Sequence, residues 1–280
     1  MDSGPDFGRA DLSNCERELI HLAGSVQPHG ALLVLREADL VVVQVSDNLE
    51  DVVGVSPRAM LERPLGVLGG DVVECVTQLM RTADLGEPVV LQCRTGRRRL
   101  EGALHRHAAG GLVLELEPVE GPAQDTPAAI DLSAELMAGN LSAAVQRFAA
   151  APSVGVLADA VVQVMRELTG YDRVLVYKFD PDGHGQVIAE ARHPRLDSLL
   201  GHHYPATDIP QRARALYLLN RVRMLVDVNY RPAPLVPALL PLTDAPLDMS
   251  HCQLRSMSPI HLQYLRNMGV TASFSASLVR

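Results

Sequence analysis

Several side chains of this sequence could do chemistry together. Cys15 follows a polar N-terminal stretch and offers a thiol for a covalent bond. Arg223 and Arg255 stand near the ends of a proline-rich segment, and a guanidinium can bind a carboxylate through two parallel hydrogen bonds. His261 and Tyr264 are three residues apart, so they share one face of a predicted helix. These residue types predict a pocket for a flat, partly polar ligand.

The stretch Y-PATDIP-QRARALY, from Tyr204 to Tyr217, joins such residues to a predicted helix. Pro210 is expected in the first turn, where its missing N–H costs no hydrogen bond. Asp208 is expected as the N-cap or on the shoulder of that helix. A capped surface helix would be the preferred interpretation of the stretch if it stood alone.

Composition narrows the classes of partner. The 280 residues are 47% hydrophobic, which is enough for one large or two ordinary domains. A net charge of −8 without a basic run argues against nucleic acid or anionic lipid. The N-terminus has no apolar signal region and no window has the length of a membrane span, so a cytoplasmic location is expected. All six tyrosines lie after residue 170, which favours a ligand pocket in the second half.

Patterns typical of enzymes and metal sites are weak. The sequence has no GxSxG, P-loop or GxGxxG motif, which predicts a protein without catalytic function. An exposed Cys15 could be incidental, and the pair His251-Cys252 is a weak metal signal without further ligands. DPDGHG lacks the acidic residue that closes a calcium loop, so a turn is predicted. We therefore expect no metal.

The first half predicts a small α+β domain with an antiparallel sheet. ALLVLR and LVVVQVS read as strands, short helical signals follow in 48–59, and VVECVTQLM lies in an amphipathic helix. PVVLQCR, RRLEGALHRH and GLVLELEP read as three further strands. Residues 1–18 are expected to form an arm that carries Cys15, residues 19–120 a domain, and residues 121–131 a linker.

The second predicted domain spans residues 132–280. Amphipathic helices are expected at 132–151 and 154–169, with Gly170 after the second, followed by the hairpin of DRVLVYKF and QVIAEAR. RMLVDV reads as a strand, 229–248 as a long loop, and 258–268 as a helix begun by Ser258. TASFSASLV predicts a strand with a hydroxyl-lined face. The chain is expected to stop before this domain is complete.

Three stretches in this order resemble the bacteriophytochromes. NCERELIHLAGSVQPHGALL is similar to the family's bilin-attachment and PAS entry sequence. PATDIP is similar to its PASDIP motif, with Thr207 in place of Ser, and LRSMSPIHLQYLRNMGV to its GAF pocket helix. The resemblance covers residues 14–280 and implies a PAS domain followed by a GAF domain, each a central antiparallel sheet with flanking helices. It also implies a figure-of-eight knot, with the arm near Val26 passing through the proline-rich loop.

The resemblance further implies covalent binding of biliverdin IXα, a linear tetrapyrrole, and sensing of red and far-red light by double-bond isomerisation. Cys15 would form a thioether with a vinyl group, since Ile260 stands where plant and cyanobacterial types carry their cysteine. Arg223 and Arg255 would bind the two propionates, while the Asp208 carbonyl and His261 would meet the pyrrole nitrogens. The expected bilin contacts are Cys15, Tyr177, His202, Tyr204, Asp208, Ile209, Pro210, Tyr217, Arg223, Arg255, Ser258, His261, Tyr264, Ser273 and Ser275.

Two other functions stay open at this point. A PAS–GAF regulator could bind another small ligand, since such domains serve many ligands. A thiol enzyme could pair Cys15 with a histidine. The resemblance also implies a homodimer through the helices at 132–151 and 258–268, and PHY and output modules outside this chain.

Overall fold

The computed structural model of the chain describes residues 4–11, 14–96, 98–119, 139 and 141–279. The chain divides into two compact units, one of residues 1–120 with 210–280 and one of residues 121–209. The strands, in chain order, are β1 Ser25–Val26, β2 Ala31–Arg36, β3 Val41–Ser46, β4 Val89–Thr95, β5 Arg98–Arg106, β6 Leu112–Pro118, β7 Arg173–Phe179, β8 Gly185–Arg192, β9 His203–Tyr204, β10 Val222–Leu225, β11 Ala233–Val236 and β12 Ser273–Ala276. The α-helices are α1 Leu49–Val53, α2 Pro57–Met60, α3 Val72–Thr82, α4 (141–149), α5 Val154–Thr169, α6 Gln211–Leu219 and α7 Pro259–Asn267.

A seven-stranded antiparallel sheet organises the first unit, in the order β1-β11-β3-β2-β6-β5-β4. The five longer strands are the ones that the apolar runs predict, because runs rich in Val and Leu fit a buried pleated surface. The predicted helix around VVECVTQLM is confirmed as α3, and the short signals after residue 48 as α1 and α2. Ser56 caps α2, and its hydroxyl accepts a hydrogen bond from the N–H of Ala59.

The prediction of a loop over 229–248 was wrong for residues 233–236. Ala233–Val236 forms β11, which pairs with both β1 and β3, with Ser25 opposite Pro234 and Leu235 opposite Ser46. Four residues that contain a proline are too few to show a strand period in the sequence. The pairing shows that the proline-rich segment is anchored to the sheet that begins near residue 25.

Each face of this sheet carries its own hydrophobic core. One face packs against α1, α2 and α3 through residues such as Leu33, Leu104 and Val76. The other face packs Leu32, Val34 and Val113 against apolar residues of the segment from Ala233 to Leu254. A sheet buried on both faces reads as continuous apolar runs, as β2 and β3 do here.

The second unit is built on α5 and the sheet β7-β8-β9. Ser153 caps α5 with its hydroxyl on the N–H of Val156, and Gly170 ends it with a φ of 71°. The predicted hairpin is confirmed, with a register shift between Val176 and Tyr177, and DPDGHG is a turn. Apolar residues of α5, such as Ala158 and Val162, pack on Ala189 and Ala191 of β8. The predicted linker at 121–131 and the first part of the predicted helix at 132–151 lie outside the described residues.

The two predicted strands near the C-terminus are confirmed but are shorter than expected. β10 and β12 form an antiparallel pair within the first unit, with Arg223 opposite Ser275 and Leu225 opposite Ser273. Among the residues described, no helix has the length and hydrophobicity that a membrane crossing requires.

Candidate functional site

Arg223 lies on β10, and backbone and hydroxyl groups outside that strand hold its side chain. Its guanidinium donates to the Ser275 hydroxyl at 2.8 Å and to the Asn220 carbonyl at 2.9 Å. The guanidinium carbon lies 3.6 Å from the centroid of the Tyr217 ring, which is a cation–π geometry. Tyr217 is on α6, so the short turn between α6 and β10 folds the arginine back over the ring. Burial lowers the pKa of Arg223 from its usual value.

Arg255 is the second guanidinium of this region, and it has little hydrogen bonding of its own. Its Nη1 donates to the Ile20 carbonyl at 3.3 Å. Burial lowers its pKa; the charge of Arg223 lowers it as well, whereas Cys252 acts in the opposite direction. Within the part of the chain that the structure describes, neither Arg223 nor Arg255 has a carboxylate at ion-pair distance.

Two half-buried positive charges that have no acidic partner among the described residues favour an incoming anion. Removing a cation from water costs several kcal/mol unless an opposite charge and hydrogen bonds offset the loss. Tyr217 lies in the field of both guanidiniums, which act to lower the pKa of its hydroxyl while the larger effect of burial raises it. The arrangement can therefore bind a ligand that carries carboxylates.

His261 lies on α7 near this positive charge. Residue 261 keeps solvent-exposed surface, yet the protein around its imidazole lowers the pKa of the side chain, and Arg223 lowers it further. A neutral imidazole at neutral pH offers one donor and one acceptor. Its ring stacks on that of Tyr264 with centroids 6.5 Å apart, as the helical spacing predicts.

Three serines of the predicted site also lie in the first unit. Ser258 is the residue before α7, as expected, but its hydroxyl makes no cap hydrogen bond. That hydroxyl is buried and has no partner among the described residues. Ser275 holds Arg223, and Ser273 is half-buried on the same strand, β12. The hydroxyl-lined strand predicted from the sequence thus contacts the guanidinium directly.

The arm that carries Cys15 lies against α6. A 3-10 helix spans Cys15–Arg17 and a second one spans Ile20–Leu22, and both pack on α6. Cys15 is a free, half-buried thiol. Because Ile20 accepts from Arg255 and α6 carries Tyr217, the arm, the helix and the two arginines belong to one cluster of the first unit.

The second unit carries an aromatic group of its own. Tyr177 on β7 lies 5.9 Å from Tyr204 and 5.1 Å from Phe179, measured between ring centroids. His202 lies 6.5 Å from Tyr204. Gly185 makes room for this group, since a Cβ at that position would lie 2.2 Å from atoms of the Tyr177 ring. Phe179 was not among the predicted site residues.

The start of α6 differs from the prediction. Pro210 is the N-cap and not a residue of the first turn, because α6 begins at Gln211. Asp208 is therefore not the N-cap; it is exposed and its N–H donates to the Pro205 carbonyl at 3.1 Å. Ile209 is half-buried. A prediction from sequence cannot separate the cap from the first turn here, since a fixed φ near −65° suits both positions.

Sequence reasoning missed two buried residues that support the arginines. The N–H of Gln27 donates to the Leu254 carbonyl at 2.8 Å, and its side-chain amide donates to the Met224 carbonyl at 2.8 Å. Gln27 therefore joins the chain segments next to Arg255 and Arg223. Glu115 accepts from the N–H of Leu254. In the sequence, Gln27 was indicated only by its place in the stretch GSVQPHG. Glu115 alternates with apolar residues in LVLELEP, a pattern that suggests a side chain facing solvent.

Comparison with known proteins gives consistent matches along the chain. A family model described as a PAS fold matches residues 15–119, and one described as a GAF domain matches residues 153–280. A bacteriophytochrome of Xanthomonas campestris is 40% identical over 273 residues, which are 96% of this chain and 41% of that protein. Cyanobacterial phytochrome B of Nostoc is 37% identical over 97% of this chain and 36% of its own length. The chain spans less than half the length of these two relatives.

Solved structures match over a larger share of both chains. The chromophore-binding domain of a Stigmatella aurantiaca phytochrome has a TM-score of 0.81 and 42% identity, covering 95% of this chain and 86% of that one. The corresponding domain of an R. palustris bacteriophytochrome has a TM-score of 0.83 and 37% identity, covering 95% and 85%. The predicted α+β, PAS–GAF fold is confirmed by these neighbours, whereas the knot stays a prediction. The chain belongs to the bacteriophytochrome family.

Proposed function

We propose that this chain binds biliverdin IXα covalently and senses red and far-red light. The observation that carries the proposal is the pair of desolvated guanidiniums, Arg223 and Arg255, which have no carboxylate partner among the described residues. Biliverdin carries two propionates, one for each guanidinium. The name of the Stigmatella domain, a chromophore-binding domain, supports the same class of ligand.

The residues of the first unit fit the other parts of a linear tetrapyrrole. The bilin supplies the light absorption and the double bond that isomerises. Cys15 would add its S–H across a vinyl double bond, so that a thioether forms, the proton goes to the second vinyl carbon and no group leaves. His261, with its lowered pKa, would offer an acceptor to buried pyrrole N–H groups, which need partners once they leave water.

The remaining predicted contacts are carried by the family resemblance. The carbonyl of Asp208 is proposed as a second acceptor for pyrrole N–H groups, with Ile209 and Pro210 beside it. The aromatic group of Tyr177, His202 and Tyr204 is proposed to contact the ring that rotates. Dimerisation, a cytoplasmic location, the domain boundaries and the absence of catalysis beyond pigment attachment also stay predictions.

Pigment attachment is a direct test. Biliverdin is added to the purified protein, which is then denatured, and a denaturing gel is examined for zinc-enhanced pigment fluorescence. Wild type and Cys252→Ser should retain pigment, while Cys15→Ser should not. Cys252 is a matched control because its thiol is buried in the second core, which is the hydrophobic core on the sheet face covered by the segment from Ala233 to Leu254. Retention by Cys15→Ser with loss in Cys252→Ser would contradict the assignment of the thiol.

The role of the arginines needs a second measurement. Biliverdin dimethyl ester has the same ring system without the propionate charges, so Arg255→Gln should weaken biliverdin binding and leave ester binding almost unchanged. If neither pigment forms a far-red-absorbing complex, the alternative function, a PAS–GAF regulator for another acidic ligand, takes its place.

A further inference from the structure

Glu115 is an acidic residue whose side chain is buried in the sheet of the first unit. It lies on β6 with 1% of its surface exposed, and its backbone pairs with Leu32 on one side and Ala103 on the other. One carboxylate oxygen accepts from the N–H of Gln253 at 2.9 Å, and the other accepts from the N–H of Leu254 at 2.7 Å. Two consecutive backbone N–H groups therefore donate to one side chain of β6, an inner strand of the sheet.

The segment held in this way leads directly to Arg255. The carbonyl of Leu254 accepts from the N–H of Gln27, and Arg255 forms a bridge with Val26. Leu254 is buried in the second core, against Leu32 and Val113. Residue 254 is thus fixed through its N–H, its carbonyl and its side chain, one position before the guanidinium.

A glutamine amide would not replace the carboxyl group here. Two N–H groups that point at one side chain need two acceptor atoms, and an amide has one oxygen acceptor and an NH₂ donor. A buried carboxylate is costly, and among the described residues Glu115 has no cation at ion-pair distance. The charged or titratable groups in its field are Glu117, Arg255 and Cys252.

We infer that Glu115 is a positioning residue for Arg255, which fixes the segment 253–255 on the rigid sheet and so sets the location of that guanidinium. The effect on an anionic ligand rests on the proposed function, whereas the effect on the segment does not. The PAS sheet would in this way take part in a binding site that the sequence places in the GAF region.

The first experiment measures amide hydrogen exchange of residues 252–257 in the protein without pigment. At pH 8, above the raised pKa of Glu115 of about 7, Glu115→Gln should accelerate exchange in this segment about 10-fold or more, since a hydrogen bond to a charged group contributes at least that factor. Glu117→Gln is the matched control, because Glu117 lies two residues along β6 and contacts His29 rather than the segment. Equal exchange in wild type and Glu115→Gln would overturn the inference.

The second experiment measures pigment affinity in a Cys15→Ser background, where binding is reversible. Glu115→Gln should weaken biliverdin about 10-fold and leave the dimethyl ester unchanged, and it should add nothing when Arg255 is already Gln. Equal losses for both pigments, or additive losses with Arg255→Gln, would make Glu115 a general stability residue. If wild type binds neither pigment, the proposed function fails while the exchange experiment still decides the role of Glu115.

A shorter carboxylate provides a further variant if Glu115→Gln does not fold. Glu115→Asp keeps the charge with a reach shorter by one methylene, so exchange of residues 252–257 should lie between wild type and complete loss of protection. Wild-type exchange in Glu115→Asp would overturn the inference.

Discussion

The first unit contains two buried titratable side chains whose effects on stability oppose each other. Burial raises the pKa of Glu115 from its ordinary value of 4.5 to about 7, and this rise is limited by the two backbone N–H donors, Gln253 and Leu254. The charge of Glu117 adds to the rise, and that of Arg255 reduces it. The folded protein therefore keeps a proton on Glu115 that the unfolded chain has released.

His105 on β5 has the opposite shift. Burial lowers its pKa from 6.5 to about 4, the neighbouring His251 and His107 lower it further, and Asp248 acts against them. The ring of His105 lies 5.7 Å from that of His251, between centroids, and is 1% exposed. The folded protein therefore excludes a proton that the unfolded chain would bind.

The sign and size of each effect follow from linkage. Between pH 4.5 and 7 the folded state binds more protons at Glu115, so stability falls as pH rises, by about 3 kcal/mol in total at about 1.4 kcal/mol for each pKa unit. Between pH 4 and 6.5 the unfolded state binds more protons at His105, so stability rises with pH by about 3 kcal/mol. In the shared range from 4.5 to 6.5 the two contributions nearly cancel.

Single substitutions should reveal how each side chain contributes to the pH dependence of the free energy of unfolding. The stability of Glu115→Gln relative to wild type should rise by about 3 kcal/mol between pH 4.5 and 7, and that of His105→Gln should fall by about 3 kcal/mol between pH 4 and 6.5. Urea unfolding at constant ionic strength gives both differences. Far-UV circular dichroism is the suitable signal, because the chain has no tryptophan to report unfolding by fluorescence.

Exposed residues provide the controls for this experiment. Glu87→Gln and His203→Gln remove the same groups from exposed positions, so they serve as matched controls for the chemical change itself. A flat difference for Glu115→Gln would refute the account of the buried carboxylate. A difference for His105→Gln that rises with pH would refute that of the imidazole.

Further predictions concern packing, the arginine supports and the photocycle. Gly185→Ala should cost about 1–3 kcal/mol in thermal unfolding, because its Cβ would overlap the Tyr177 ring, and it should cost almost nothing in a Tyr177→Ala background. Gln27→Leu should cost about 1 kcal/mol in urea unfolding, since it removes the bond to Met224 but also removes a buried oxygen that has no partner among the described residues. Asp208→His should keep pigment attachment and raise pigment fluorescence severalfold with weaker photoconversion; an unchanged photocycle in a chain extended through the rest of the family's sensor region would contradict the role of its carbonyl.

Local patterns in the sequence were enough to predict most elements. The apolar runs of β2 and β3, the Gly that ends α5, and the turn before β8 each depend on neighbours in the chain, so their signals are local. β11 escaped prediction because its partners, Ser25 and Ser46, lie far away in sequence. Pairing across such a distance leaves no period in four residues.

The residues of the candidate site also divide into those that local sequence signals indicate and those that depend on distant contacts. Arg223 and Arg255 were predicted because a guanidinium is informative by type and by resemblance. Gln27 and Glu115 were missed because their roles come from which backbone groups they reach, at Met224 and in the segment before Arg255. A glutamine or glutamate within an apolar run looks like an ordinary outward-facing residue until the opposite face of the sheet is known to be covered.

The supports of the two arginines explain how desolvated charges can persist in a stable fold. A lone buried guanidinium gains hydration by moving toward water, and a flexible backbone around it would permit that movement. Here the backbone next to each arginine is tied to Gln27, and the segment before Arg255 is also tied to Glu115 on the central sheet. The guanidiniums are therefore held where solvation is poor, and a dianionic ligand would gain electrostatic energy there without first ordering the site. If the proposed function holds, the affinity for a dianionic ligand would therefore depend on Gln27 and Glu115 of the PAS region as well as on the two arginines.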